Sequence, residues 1–175
     1  MHIFLQGPRN IGKSTVIRKT LDILEAQRPL ALGGFFTWNE MSAGTNIYMR
    51  PAGNGGEKEK FHIAGFDEGS GGLICDVQIF EQEGVRLLNE SRDSELIIMD
   101  ELGFLESNAP KFKQAVFNVI LGNIPVFGVM RLGDVPWHAE IKRCPSVTLY
   151  DVNMENRSTL PQELAALLRS CSLYS

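Results

Sequence analysis

The segment GPRNIGKST, Gly7 to Thr15, fits the spacing G-x-x-x-x-G-K-[ST] of a loop that wraps nucleotide phosphates. The residue types follow from that task. Gly7 and Gly12 permit backbone angles and close approach that a side chain forbids. Main-chain amides of Pro8 to Thr15 (Pro8 itself has no N–H), together with the positive end of a following helix, face the phosphates. Lys13 is expected to reach the β- and γ-phosphates, and the Ser14 hydroxyl to ligate Mg²⁺. Arg9, Asn10, Ile11 and Thr15 complete the candidate binding loop, with Arg9 at a variable position that favours solvent.

A second segment, LIIMDE, carries four apolar residues and then two carboxylates, Asp100 and Glu101. A buried strand ending there leaves Asp100 at the carboxyl edge of a sheet, where open α/β sheets bind ligands. Asp100 is expected to hold Mg²⁺ through water, because Mg²⁺ keeps several of its waters. One residue further, Glu101 suits the orientation and deprotonation of an attacking water. Phosphoryl transfer needs mainly positioning and charge neutralisation, so a water-holding carboxylate favours hydrolysis. Two other outcomes share these residues: transfer of the phosphate to an acceptor, as in a nucleotide or small-molecule kinase, and a regulatory module that only holds the nucleotide.

Elements must bring these segments together. Short apolar or alternating runs predict strands at 2–6, 33–40, 45–50, 60–66, 95–100, 125–130 and 146–152. Helical periodicity marks 14–27, where Val16, Ile17, Leu21 and Leu24 share a face. It recurs at 76–91, 110–122, 137–143 and 161–170. Strand and helix alternate at both ends of the chain. The expected fold is therefore α/β, a P-loop three-layer sandwich whose mostly parallel central sheet has helices on both faces. Residues 33–72 break the rhythm and predict antiparallel hairpins at the sheet edge. Loop 53–60 is expected to be solvated. Loop 67–72 fits either a solvated turn or a lid.

A chain of 175 residues accommodates one domain, expected to span 1–175. A net charge of −4 gives no global attraction to nucleic acid or anionic membrane, so neither is expected as a partner. Cys75, Cys144 and Cys171 form no C-x-x-C, which argues for spare buried thiols and a reducing compartment. No apolar run approaches the length of a membrane span, and the cytoplasm is the expected location. Base preference and oligomeric state leave no mark in the sequence.

The chain resembles the cancer-related nucleoside-triphosphatases, a family first described in thermophiles. The resemblance covers nearly the whole chain through GPRNIGKST, GFFT (34–37), FEQEG (80–84), DELGFLESNAPKFKQAV from Asp100, and EIKRCPSVTLYDVNMENRSTLPQEL from Glu140. It implies a RecA-like sheet with an additional strand and a catalytic glutamate. It also implies Mg²⁺-dependent, slow hydrolysis of nucleoside triphosphates such as ATP and GTP, with relaxed base preference. Two departures stand out. The family's arginines after G-F-x-T are missing until Arg50, and Phe104 occupies the place of a usual basic residue.

Arg131 follows the strand at 125–130, where it suits either charge stabilisation of a transferring phosphate or an ordinary surface loop. Asn156 and Arg157 lie between the last strand and the last helix. There they suit either base contacts, by hydrogen bond and stacking, or loop anchoring. Trp38 and Trp137 fit core or rim, and the three histidines lack ligand spacing.

Overall fold

The computed structural model describes residues 1–40, 45–53 and 56–170, with the backbone alone at Glu57. Eight strands form one sheet in the order β5-β4-β3-β2-β6-β7-β1-β8. They are β1 His2–Gln6, β2 Leu32–Glu40, β3 Asn46–Pro51, β4 Phe61–Asp67, β5 Gly72–Cys75, β6 Leu96–Leu102, β7 Val126–Met130 and β8 Val147–Asp151. Strands β2, β6, β7, β1 and β8 pair in parallel, and β2 to β5 pair as an antiparallel meander. The sheet is therefore mixed. The predicted hairpins at 33–72 are continuous with the parallel strands, because β2 belongs to both. Residues 72–75 were not anticipated as a strand: GLIC gains its partner only through β4, a relationship no local pattern carries.

The parallel strands alternate apolar side chains to both faces, as strands buried on both sides must. Ile3, Leu5, Leu96, Ile98, Phe127 and Val129 meet α1 (Lys13–Glu25) and α6 (Leu160–Ser170). Phe4, Ile97, Met99, Val126 and Met130 meet α3 (Val85–Asn89), α4 (Pro110–Ile120) and α5 (His138–Arg143). Two cores thus sandwich the sheet. On α1 the buried residues are Val16, Ile17, Thr20, Leu21 and Leu24, the stripe the 3.6-residue period dictates.

The helix expected at 76–91 is not regular. It runs from α2 (Val77–Ile79) through a π turn at Phe80–Gly84 into α3, and closes as a 3₁₀ turn at Glu90–Asp93. Gly84 presses on Phe112, and an added Cβ would lie 2.6 Å from that ring. In the same turn Glu81 Oε1 accepts from the Lys111 N–H at 2.8 Å and the Phe112 N–H at 3.3 Å, which caps α4. Tertiary demands, close packing and a cap for a neighbouring helix, override the local period here.

Cys75 and Cys144 are free and half-buried, not fully buried as expected, and Cys171 lies outside the described residues. Loop 53–60 contains a 3₁₀ turn at Gly56–Lys58, and Glu59 is tied to Arg86 at 2.6 Å. No helix among the described residues is long and apolar enough to cross a membrane.

Candidate active site

The loop after β1 turns sharply at Gly7, whose φ is +153°. A Cβ there would sit 2.5 Å from the Val152 carbonyl, so the residue must be glycine. Gly12 has open space but a φ of +108°, so angle and not room demands glycine at the start of α1. Asn10 (φ +62°) belongs to a residue type that tolerates the left-handed region. Lys13 Nζ donates to the carbonyls of Gly7 (2.9 Å) and Pro8 (2.8 Å). Burial pulls the lysine below its ordinary pKa, against the attraction of Glu101 and Asp100.

The carboxyl-bearing segment arrives from β6, two strands away, with β7 between β6 and β1. Ser14 Oγ donates to Asp100 Oδ1 at 3.0 Å. Thr37 Oγ1, from β2, donates to the Asp100 main-chain carbonyl at 2.8 Å. Asp100 is only 2% exposed, and burial pushes its carboxyl up to about 7, with the Ser14 bond opposing. A hydroxyl beside a buried carboxylate is a hard-oxygen donor set. Among the described residues no group of three or more His, Cys, Asp or Glu could hold a metal. That donor set fits Mg²⁺, which takes one or two protein oxygens and completes its shell with water and phosphate.

Glu101 leaves the sheet's regular course. Strand β6 pairs with β7 at Met99↔Gly128 and resumes at Leu102↔Met130, so Asp100 and Glu101 together oppose Val129. This is a β-bulge, a device that re-aims side chains. Glu101 has φ +71°, uncommon for a residue with a Cβ. Its side chain is 47% exposed, and Oε1 lies 3.8 Å from Arg131 Nη1. The Arg131 guanidinium in turn lies 4.5 Å over the Phe104 ring. Phe104, where the resemblance leads one to expect a basic residue, thus becomes a platform for the cation that follows β7.

One cleft of about 850 Å³ collects most of these groups, with Asp100 buried behind its lining. Gly7, Arg9, Asn10, Gly12, Lys13, Ser14 and Thr15 line it, as do Glu101 and Arg131. The cleft continues over the meander, where Trp38, Ile47, Ile63, Phe66 and Leu73 line it, and Gly71 and Gly72 bring the 67–72 turn to its edge. Pro8 and Ile11 do not line it; Ile11 packs on the core beneath α1 and α6. Asn156 and Arg157 also stay outside the lining. The Asn156 amide donates to the Asp151 carbonyl at 2.7 Å and accepts from the Asn153 N–H at 2.9 Å, so it anchors its own loop. Arg157 Nη1 reaches the Ile11 carbonyl at 3.5 Å, on the phosphate loop itself.

Three contributors were not singled out from sequence: Thr37, Glu106 and Trp137 as a donor. Thr37 ends GFFT and Glu106 closes DELGFLE, so both lay inside segments that carried the resemblance. Thr37 meets Asp100 across the sheet, whereas Glu106 meets Gly103 three residues away, in the turn that follows β6.

Comparison with known proteins places the whole chain in a family. A family model described as NTPase matches residues 2–165. A nucleoside-triphosphatase THEP1 of Thermotoga sp. (strain RQ2) is 27% identical, over 97% of this chain and 96% of that protein. The cancer-related nucleoside-triphosphatase of Homo sapiens is 27% identical, over 97% of each. Among solved structures, that of THEP1 from the hyperthermophile Aquifex aeolicus aligns with a TM-score of 0.78 at 25% identity, covering 96% of this chain and 99% of that one. The phosphate loop, the Asp100–Glu101 strand end and the length of the match lead to one assignment: the chain belongs to the NTPase family, that of the cancer-related nucleoside-triphosphatases.

Proposed function

We propose that this chain is a nucleoside-triphosphatase that hydrolyses nucleoside 5′-triphosphates, ATP and GTP among them, to diphosphate and phosphate. Slow turnover and relaxed base preference belong to the proposal, as does a single domain working in the cytoplasm. The observation that carries it is Glu101, one residue beyond the Ser14–Asp100 contact and lining the same cleft as Lys13. That is the position from which a carboxylate serves water attacking the terminal phosphate.

In the proposed reaction the triphosphate binds the amides of the Gly7–Thr15 loop. Lys13 exchanges its two loop carbonyls for β- and γ-phosphate oxygens. Ser14 and Asp100 would hold Mg²⁺, which supplies charge neutralisation on the phosphates. Glu101 orients a water and accepts its proton as the water oxygen bonds to the γ-phosphorus. The bond from that phosphorus to the β–γ bridging oxygen breaks, and the nucleoside diphosphate leaves with the electron pair. Arg131, beside Glu101, suits the charge that develops on the transferring group. Relaxed base preference accords with an Asn156 amide engaged in its own loop.

The test is phosphate release from ATP, GTP, CTP and UTP with Mg²⁺ and no acceptor, for wild type and Glu101→Gln. The expected result is release by wild type and a loss of at least ~10-fold in the variant, about 1.4 kcal/mol of barrier, with nucleotide binding retained. Equal inertness of both proteins refutes hydrolysis. A second reading, phosphate transfer to a small acceptor, draws on the reach of the cleft over Trp38, Phe66 and Leu73. Phosphate release without acceptor separates the two.

A further inference from the structure

A bulged, left-handed glutamate needs something to hold it, and the chain just after Glu101 is held on both sides of one residue. The Gly103 N–H donates to the Glu106 carboxylate. The Gly103 carbonyl accepts from Trp137 Nε1 at 3.1 Å. Next to it, the Leu102 carbonyl accepts from the Arg131 N–H at 2.8 Å, which fixes the residue that faces Glu101. Both side chains of this clamp are buried, Glu106 to 2% exposure and Trp137 to 6%.

Glu106 is an expensive choice for tying down a loop. Its burial disfavours ionisation and pushes the carboxyl up to about 7. A capping Ser or Asn would satisfy one amide at lower desolvation cost. Glu106 is also among the residues that line the same cleft as Glu101 and Arg131, on the 3₁₀ turn Leu105–Asn108 that follows β6. Trp137 enters from the start of α5, a distant stretch of the chain. Two anchors therefore converge on one peptide, two residues from the strained position.

We propose that Glu106 and Trp137 are positioning residues for hydrolysis: by clamping Gly103 they keep the Asp100–Glu101 bulge formed, with the Glu101 carboxylate turned into the cleft beside Arg131. The proposal rests on the reading of Glu101 as the group that orients the attacking water. It assigns no contact between the clamp and the nucleotide.

The experiment compares Glu106→Ala, Glu106→Gln and Trp137→Phe, each alone and combined with Glu101→Gln, by kcat and KM for ATP. Glu106→Ala is expected to lower kcat ~10-fold or more with KM within ~2-fold, because the lost interaction serves the transition state. Glu106→Gln is expected to stay within ~3-fold of wild type, since its amide oxygen accepts the same N–H. In the Glu101→Gln background none of the three is expected to lower kcat further, because the remaining rate no longer uses Glu101. A merely structural carboxyl would lower the rate equally in both backgrounds. A folded Glu106→Ala with wild-type kcat, or a full additional loss on top of Glu101→Gln, overturns the proposal.

If Glu106→Ala does not fold, Trp137→Phe, which keeps a six-membered aromatic ring but loses the N–H donor together with the five-membered ring, carries the same kcat and background expectations. If wild type itself releases no phosphate, the hydrolase reading is what fails. The clamp is then judged by a crystal structure of Glu106→Ala or, failing that, Trp137→Phe. Residue 101 outside the left-handed region supports it, and an unchanged φ refutes it.

Discussion

Ser14 Oγ donates to Asp100 Oδ1 across 3.0 Å, joining the first turn of α1 to the end of β6 although 86 positions separate them in the chain. A buried carboxyl and a hydroxyl from two elements supply the hard-oxygen pair on which the proposed Mg²⁺ binding rests, a pair that neither segment supplies alone.

Removing that cation should therefore stop the reaction. EDTA is expected to abolish phosphate release and added MgCl₂ to restore it. Asp100→Asn is expected to lower the Mg²⁺-dependent rate ~100-fold, about 2.7 kcal/mol of barrier, while the protein stays folded because a buried carboxylate becomes a neutral amide of equal size. Chelation-resistant hydrolysis would rule out this role for Ser14 and Asp100.

Glu101 trades stability for position. A side chain in the left-handed region costs about 1 kcal/mol, and its φ is +71°. Asparagine tolerates that region well. Glu101→Asn is expected to raise the melting temperature by about 2–4 °C and to reduce phosphate release to the level of Glu101→Gln. A variant that melts lower than wild type would mean the backbone there is not strained.

Stability should also fall as pH rises from mildly acid to neutral. Glu106 ionises near 7 in the folded protein, against an ordinary value of 4.5. The folded state keeps that proton over a range where the unfolded chain has lost it. Its stabilising share is complete below about 4.5 and is lost as pH climbs through about 7, at up to about 1.4 kcal/mol per pH unit. Asp100, also pushed up to about 7, acts in the same direction. Glu106→Gln removes only the Glu106 share, so urea denaturation at pH 5 and pH 8 is expected to give a smaller drop than in wild type. Parallel profiles for the two proteins would contradict the burial of this carboxyl.

Two glycines with similar angles should respond very differently to alanine. Gly34 (φ +81°) lies beside β6, and a Cβ would sit 2.0 Å from the Ile98 carbonyl. Gly71 (φ +66°) has nothing within 4 Å. Gly34→Ala must push β2 away from β6 and is expected to cost ~4 kcal/mol or more. Gly71→Ala carries angular strain alone, about 1 kcal/mol. Chemical denaturation of both variants checks the contrast, and equal losses would refute it.

How much of this was legible beforehand follows the range of the interactions. The phosphate loop is contiguous, and its strand–loop–helix setting is written within 25 residues of the chain. Helices α1, α4, α5 and α6 begin and end within two residues of the periodic segments that predict them, because an amphipathic stripe records the core it faces. Asp100 and Glu101 could be named from LIIMDE, since an apolar run ending in carboxylates marks a buried strand meeting solvent.

The sequence by itself determined the glycine-lysine loop from Gly7 to Thr15, the carboxylate pair Asp100–Glu101, and that an α/β sheet carries them. Only the tertiary structure decided that β7 separates the two loaded strands, that Glu101 is bulged into a left-handed turn, and that Arg131 rests on Phe104 beside it. It alone decided that Glu106 and Trp137 grip Gly103, and that a π turn interrupts the second helical segment so that Glu81 caps α4. The reason is physical. Propensity and periodicity are summed over neighbours in the chain, whereas strand order, bulges and clamps are fixed by contacts that only the folded chain brings together.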